Sequence, residues 1–243
     1  MVAAMNRRFA LLAAPCLLAA LTGASPPATR TPAPVPVAAP LGDVVRVALV
    51  TELGTITLDL DHAHAPLTVE NFMRYVDRRR FDGMTFYRSM RLAWGEQPNG
   101  LIQAGLSGDP RKVLAPVAHE ATSTTGLRHT AGAVSMARFG PGTATADFSI
   151  LLSELTGLDA DPASDDPDRR AGYAAFGHVV SGMEVVRAIW EAPLSPTRGE
   201  GAVKGQLLER PVKVLTVRRV ALPAAAPAQF PAPALAPGPS PAP

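Results

Sequence analysis

Between residues 43 and 221 the sequence breaks into short runs of alternating apolar and polar side chains, punctuated by glycine, proline, asparagine and aspartate. A period of two marks a strand with one face in a core, because successive side chains on a pleated strand point to opposite sides. The runs fall at 44–49, 55–60, 85–88, 100–105, 132–138, 148–152, 174–180 and 211–220. Helical spacing occurs in two distant places, 65–76 and 183–190. In the first, Pro66 suits an opening turn and Val69, Phe72, Met73 and Val76 form an apolar stripe. Short strands with two isolated helices disfavour the repeating strand–helix units of a parallel sheet. The expected architecture is mainly β, a closed barrel with helices over its open ends.

The ends of the chain have a different character. Residues 1–24 begin with Arg7 and Arg8, continue through an apolar run at 9–20 and finish on small residues, the layout of a secretory signal peptide. The run is too short for a membrane span and is broken by Pro15, so no stable membrane insertion is expected after cleavage. Cys16 is the single cysteine, which leaves the mature chain without a disulfide, a thiol nucleophile or a thiolate metal site. A periplasmic location is expected. Residues 25–42 and 222–243 are rich in proline and alanine and read as a linker and a disordered tail. One domain, 43–221, remains, expected to act as a monomer. A net charge of +2 with scattered basic residues implies no nucleic-acid partner.

The richest local chemistry lies at 81–88, Phe-Asp-Gly-Met-Thr-Phe-Tyr-Arg. Asp82-Gly83 supplies a turn, and the strand after it alternates so that Phe86 and Arg88 are expected on one face. A guanidinium held over apolar surface suits recognition of an amide carbonyl or imide nitrogen better than proton transfer. Elsewhere the signals are weaker. His62 and His64 lack a third metal ligand. The aspartates at 159, 161, 165, 166 and 168 lack the central glycine of a calcium loop and meet Arg170 where its last carboxylate should stand, so a solvated acidic loop is expected. Ser135 has no glycine-flanked elbow, and no His or Asp partner can be paired with it. No metal and no cofactor are expected.

Taken in order, 51–56, 65–72, 81–88, Ile102-Gln103-Ala104-Gly105, Thr125-Gly126-Leu127, 132–138 and 176–186 resemble the cyclophilin-type peptidyl-prolyl cis-trans isomerases over nearly the whole domain. The resemblance implies an eight-stranded antiparallel barrel capped by two α-helices, with a groove on its outer face for proline-containing polypeptides. It places Arg88 on the catalytic arginine, Gln103 on the glutamine that holds the peptide backbone and Met136 on a pocket methionine. Phe86 is carried over only as a core neighbour. The implied activity is X-Pro isomerisation in unfolded or loop segments, with no cofactor.

Several positions depart from the family pattern. Arg88 and Gln103 are fifteen positions apart, a longer link than usual, and it contains Trp94. Ser149 follows Phe148 where a second phenylalanine is typical, Asp147 replaces a common glutamine, and Gly157 precedes Leu158-Asp159 in place of an aromatic. Tyr173 lies near the place of a pocket histidine. The expected substrate-binding set is Gln103, Met136, Leu101, Phe148, Leu158, Tyr173 and Trp94, with Trp94 offered as a substitute ring. The alternative is a proline-peptide-binding or chaperone module whose catalysis is weak or lost.

Overall fold

The computed structural model describes residues 40–222, except 108 and 110. The signal peptide expected at 1–24, nearly all of the 25–42 linker and the tail beyond residue 222 lie outside the described residues. Strands β1 (Val44–Thr51) and β2 (Gly54–Asp61) form the first hairpin, followed by helix α1 (Pro66–Asp77). Then come β3 (Thr85–Arg91), β4 (Gly100–Gly105), the single turn α2 (Thr122–Thr125), β5 (Ala133–Met136) and β6 (Phe148–Leu151). A short α3 (Pro167–Ala171), β7 (Ala175–Ser181), α4 (Met183–Glu191) and β8 (Leu207–Arg219) complete the domain. The eight strands close into a barrel in the order β1-β2-β7-β5-β6-β4-β3-β8, every pair antiparallel.

The inward positions of the alternating runs fill the barrel. Leu58, Phe86, Ile102, Val134, Phe148 and Ile150 are each fully buried. The long helices lie at opposite ends of β2. Chain continuity places α1 at its Asp61 end, where Phe72 packs against Phe148 and Phe176 at centroid distances of 5.3 and 5.5 Å. At the other end, Val185 of α4 lies against Gly54. No local side chain caps α1. Its first amides are instead satisfied from 52 and 53 residues away, because the Glu120 carboxylate accepts from Leu67 N–H (3.1 Å) and Thr68 N–H (2.8 Å).

One irregularity decides where the functional face lies. Phe86 pairs with Ala104 and Arg88 with Gln103, so two steps on β3 match one step on β4 and Tyr87 is the extra residue of a β-bulge. Phe86 therefore points into the barrel and Arg88 out of it. This corrects the expectation that both share a face, which presumed unbroken alternation. On its other side, β3 pairs Phe86 with Val212 but Arg88 with Leu207, and Pro211, which has no amide hydrogen, falls within the segment that the register skips. The last strand thus starts four residues before the expected 211.

Candidate functional site

Beyond the bulge, four outward positions line up across neighbouring strands: Arg88 opposite Gln103, Gln103 opposite Ser149, and Ser149 opposite Ser135. They border a cavity of about 160 Å³ on the outer barrel wall. Met90, Leu101, Leu158 and Tyr173 give the cavity its apolar sides. Leu101 is also part of a second buried cluster, with Ala133, Leu151 and Leu155, that backs this wall. Beside it runs a wider depression of about 640 Å³ that shares Arg88, Gln103, Ala137 and Arg138 and extends over Thr145 and Asp147. Arg88 stands between the two.

Hydrogen bonds fix the donors of this wall. Arg88 donates from Nη1 to Gln103 Oε1 at 2.8 Å, and from Nε and Nη2 to Gln206 Oε1 at 2.9 and 2.7 Å. Gln103 in turn donates from Nε2 to Tyr87 Oη at 2.7 Å, and Tyr87 donates to Asp147 Oδ2 at 2.8 Å. Asp147 Oδ1 accepts from the amides of Leu106 and Ser107, so the chain of bonds ends on main chain. Gly105 permits this close approach. It has φ +147°, and a Cβ there would collide with the Asp147 carboxylate and backbone. Burial pushes the Tyr87 phenol well above its ordinary value, aided by Asp147, and keeps it a neutral donor. Burial also raises Asp147, opposed by its three donors. Arg88 is shifted downward by desolvation, and every side chain bonded to its guanidinium is a neutral amide.

The far wall is held by Arg138 and His129, which sequence reasoning did not single out. Arg138, with a side chain 2% exposed, donates to Gly172 O and to Asp168 and lies over the Tyr173 ring at 4.6 Å. It locks the one aromatic ring that borders the cavity. Ser135 does have partners: its hydroxyl lies 2.8 Å from His129 Nε2, and His129 Nδ1 lies 2.7 Å from Asp159 Oδ1. Asp159 accordingly faces His129 and is not part of a solvated loop. Only the three-dimensional fold brings the sequence-distant Asp159 to this point.

The Ser135–His129–Asp159 spacing is that of a nucleophilic relay, but the site is built as a wall. Ser135 is 2% exposed on β5, at a register shift against β7, and the adjacent Met136 amide is committed to Ala174 O, so that amide is unavailable to an oxyanion. Burial lowers the His129 imidazole from its ordinary 6.5, against the opposing pull of Asp159. The folded protein thus holds it neutral, donating from Nδ1 to Asp159 and accepting from Ser135. The unfolded chain binds that proton more readily, so stability is complete above about pH 6.5 and falls as pH drops toward the lowered folded value. Urea midpoints measured between about pH 7.5 and 5.5 are expected to decline in the wild type and to flatten in His129→Gln.

Of the expected site residues, Arg88, Gln103, Leu101, Leu158 and Tyr173 come together around the cavity. Met136 borders it, but it is 2% exposed, belongs to the barrel core and sits opposite Phe148 in register. Phe148 does not reach the cavity. Because Ser149 pairs with the outward Gln103, Phe148 must face inward, where it packs on Phe72, Phe81 and Phe86. Trp94 is 66% exposed on the β3–β4 loop and borders neither depression, so it does not replace the missing ring. His62 and His64 turn to separate partners, Gly42 O and Asp61.

Comparison with known proteins bears on the family and the fold. The family model for cyclophilin type peptidyl-prolyl cis-trans isomerases matches residues 46–219. A peptidyl-prolyl cis-trans isomerase of Acinetobacter baylyi is 33% identical over 176 residues, covering 71% of this chain and 84% of that protein. One from Streptomyces antibioticus is 37% identical over 164 residues, covering 66% of this chain and 92% of its own length. The crystal structure of a Cryptosporidium parvum cyclophilin type isomerase superposes with a TM-score of 0.54 at 17% identity, covering 74% of this chain and 99% of that one, and so shares the fold. With a barrel of this topology and a family match over residues 46–219, the chain belongs to the cyclophilin-type peptidyl-prolyl cis-trans isomerases.

Proposed function

We propose that this isomerase works through Arg88 on X-Pro bonds in unfolded or loop segments of periplasmic proteins. Rotation about the bond is opposed by amide resonance, with a barrier of about 18–20 kcal/mol. No bond has to break and no proton has to move. Catalysis needs an environment that favours the twisted amide over both planar isomers. In this reading the proline ring enters the 160 Å³ cavity against Leu101, Leu158 and Tyr173, and the preceding residues lie along the wider depression. Arg88, at the junction, then donates to the imide nitrogen as it pyramidalises, when its lone pair is no longer delocalised.

The observation that carries this reading is the state of the Arg88 guanidinium. Three of its five donor positions are taken, all by neutral amides, which leaves one N–H on each terminal nitrogen and an undiminished charge at the cavity edge. A second reading, peptide binding without turnover, draws on Ser149 and Ser135, whose small polar side chains border the cavity beside one ring. Catalysed cis–trans exchange of X-Pro peptides separates the two. The periplasmic assignment is supported by the signal-like composition of residues 1–24. It is tested by fractionating cells that express the chain with and without that segment; cytoplasmic retention of the full chain would refute it.

A further inference from the structure

We infer that Gln206 is a positioning residue for Arg88 and makes up the second jaw of a clamp whose first jaw is Gln103. This rests on Arg88 being the donor to the imide nitrogen. Gln206 Oε1 accepts from both Nε and Nη2 of Arg88, the edge opposite the one that Gln103 holds through Nη1. Its own amide is oriented by donation from Nε2 to Ala202 O at 2.8 Å, which puts the oxygen, not the nitrogen, toward Arg88. The main chain of Gln206 is fixed as well. Its carbonyl accepts from Ser89 N–H at 2.9 Å, one residue along β3 from Arg88, and its amide donates to Val203 O. The register jump between β3 and β8 brings this position, 118 residues away in sequence, alongside the guanidinium.

A long arginine side chain loses much rotamer freedom when it is held at one orientation. With Gln103 alone, the plane could swing about the Nη1 contact. With both jaws in place, the remaining Nη1–H and Nη2–H keep one direction, and donors already in place need no reorganisation as the amide twists. Removing Gln206 should therefore lower turnover and leave ground-state grip on the proline ring, which depends on the cavity's apolar sides, nearly unchanged.

The test compares Gln206→Met and Gln206→Glu with wild type and Arg88→Lys, using peptide exchange kinetics by NMR and the solvent exchange of the Arg88 Nε proton. Gln206→Met is expected to lower kcat about tenfold with KM within about twofold, and to speed Nε–H exchange. Gln206→Glu keeps the acceptor but sets a carboxylate against the guanidinium and loses the donation to Ala202 O, so it is expected to restore slow exchange without restoring kcat. Wild-type kcat in Gln206→Met, alongside loss in Arg88→Lys, would overturn the inference and leave the role of Arg88 intact. Full activity in Arg88→Lys would instead overturn the reading on which the inference rests. Should Gln206→Met fail to fold, an unprotected Arg88 Nε–H in the wild type is by itself enough to reject the clamp.

Discussion

Arg88→Ala is expected to lower kcat/KM for X-Pro isomerisation by about 10²–10³-fold, the range found when one preorganised donor to a transition state is removed. The effect should be kinetic and not structural. Arg88 points outward from the bulge, and its partners Gln103 and Gln206 keep their own contacts to Tyr87 and Ala202 when it is gone. Arg88→Lys should recover little. An ammonium is a compact point charge on a flexible stem, and it cannot donate to two glutamine oxygens on opposite edges while presenting further hydrogens to the substrate. Unchanged circular dichroism and melting in both variants, together with the loss of rate, would assign the effect to the donor.

The largest stability effect is expected at Phe148, a member of the expected substrate-binding set that faces the core. Its ring meets Phe72, Phe81 and Phe86 at 5.3, 6.1 and 6.4 Å, tying α1, the turn before β3 and β3 itself to β6. Truncation to alanine removes the buried area of a phenylalanine and opens a void among rings that are themselves held by the barrel. The expected cost is about 3–5 kcal/mol, a fall in melting temperature of roughly 10 °C for a domain of this size. If Phe148→Ala kept wild-type stability but lost peptide affinity, the inward placement of the ring would be wrong.

Phe148 also shows what alternation reveals and what it conceals. The pattern locates strand β6, but which of Phe148 and Ser149 faces inward depends on the register against β4, where Gln103 fixes the parity. Likewise the strand at 85–91 is legible, while the bulge that sends Phe86 and Arg88 to opposite faces has no local signal: a bulge is a property of two strands together. Arg88 and Gln103 were legible through family resemblance, because they sit in contiguous motifs. Gln206 and the Glu120 that caps α1 stand in no recognisable pattern, and Arg138, although it ends the matching segment 132–138, acts on Asp168 and Gly172 far along the chain. Ser135 finds its partners His129 and Asp159 only in the fold, for the same reason. Residue type and a place on the longer link suggest Trp94, but neither says where the tip of a loop goes.

The most direct measurement is magnetisation exchange between the cis and trans forms of an X-Pro peptide, in the presence of a small amount of the protein, read together with the backbone amides that shift on binding. Uncatalysed exchange takes tens to hundreds of seconds and gives no exchange peaks on this timescale. The expected result is strong exchange peaks with wild type, their loss in Arg88→Ala, and shifts centred on the two depressions, among them Leu101, Gln103, Ala137, Ser149, Leu158 and Tyr173. Binding shifts at those positions with no exchange peaks for any peptide would contradict arginine-assisted isomerisation and leave a proline-binding module on the same barrel.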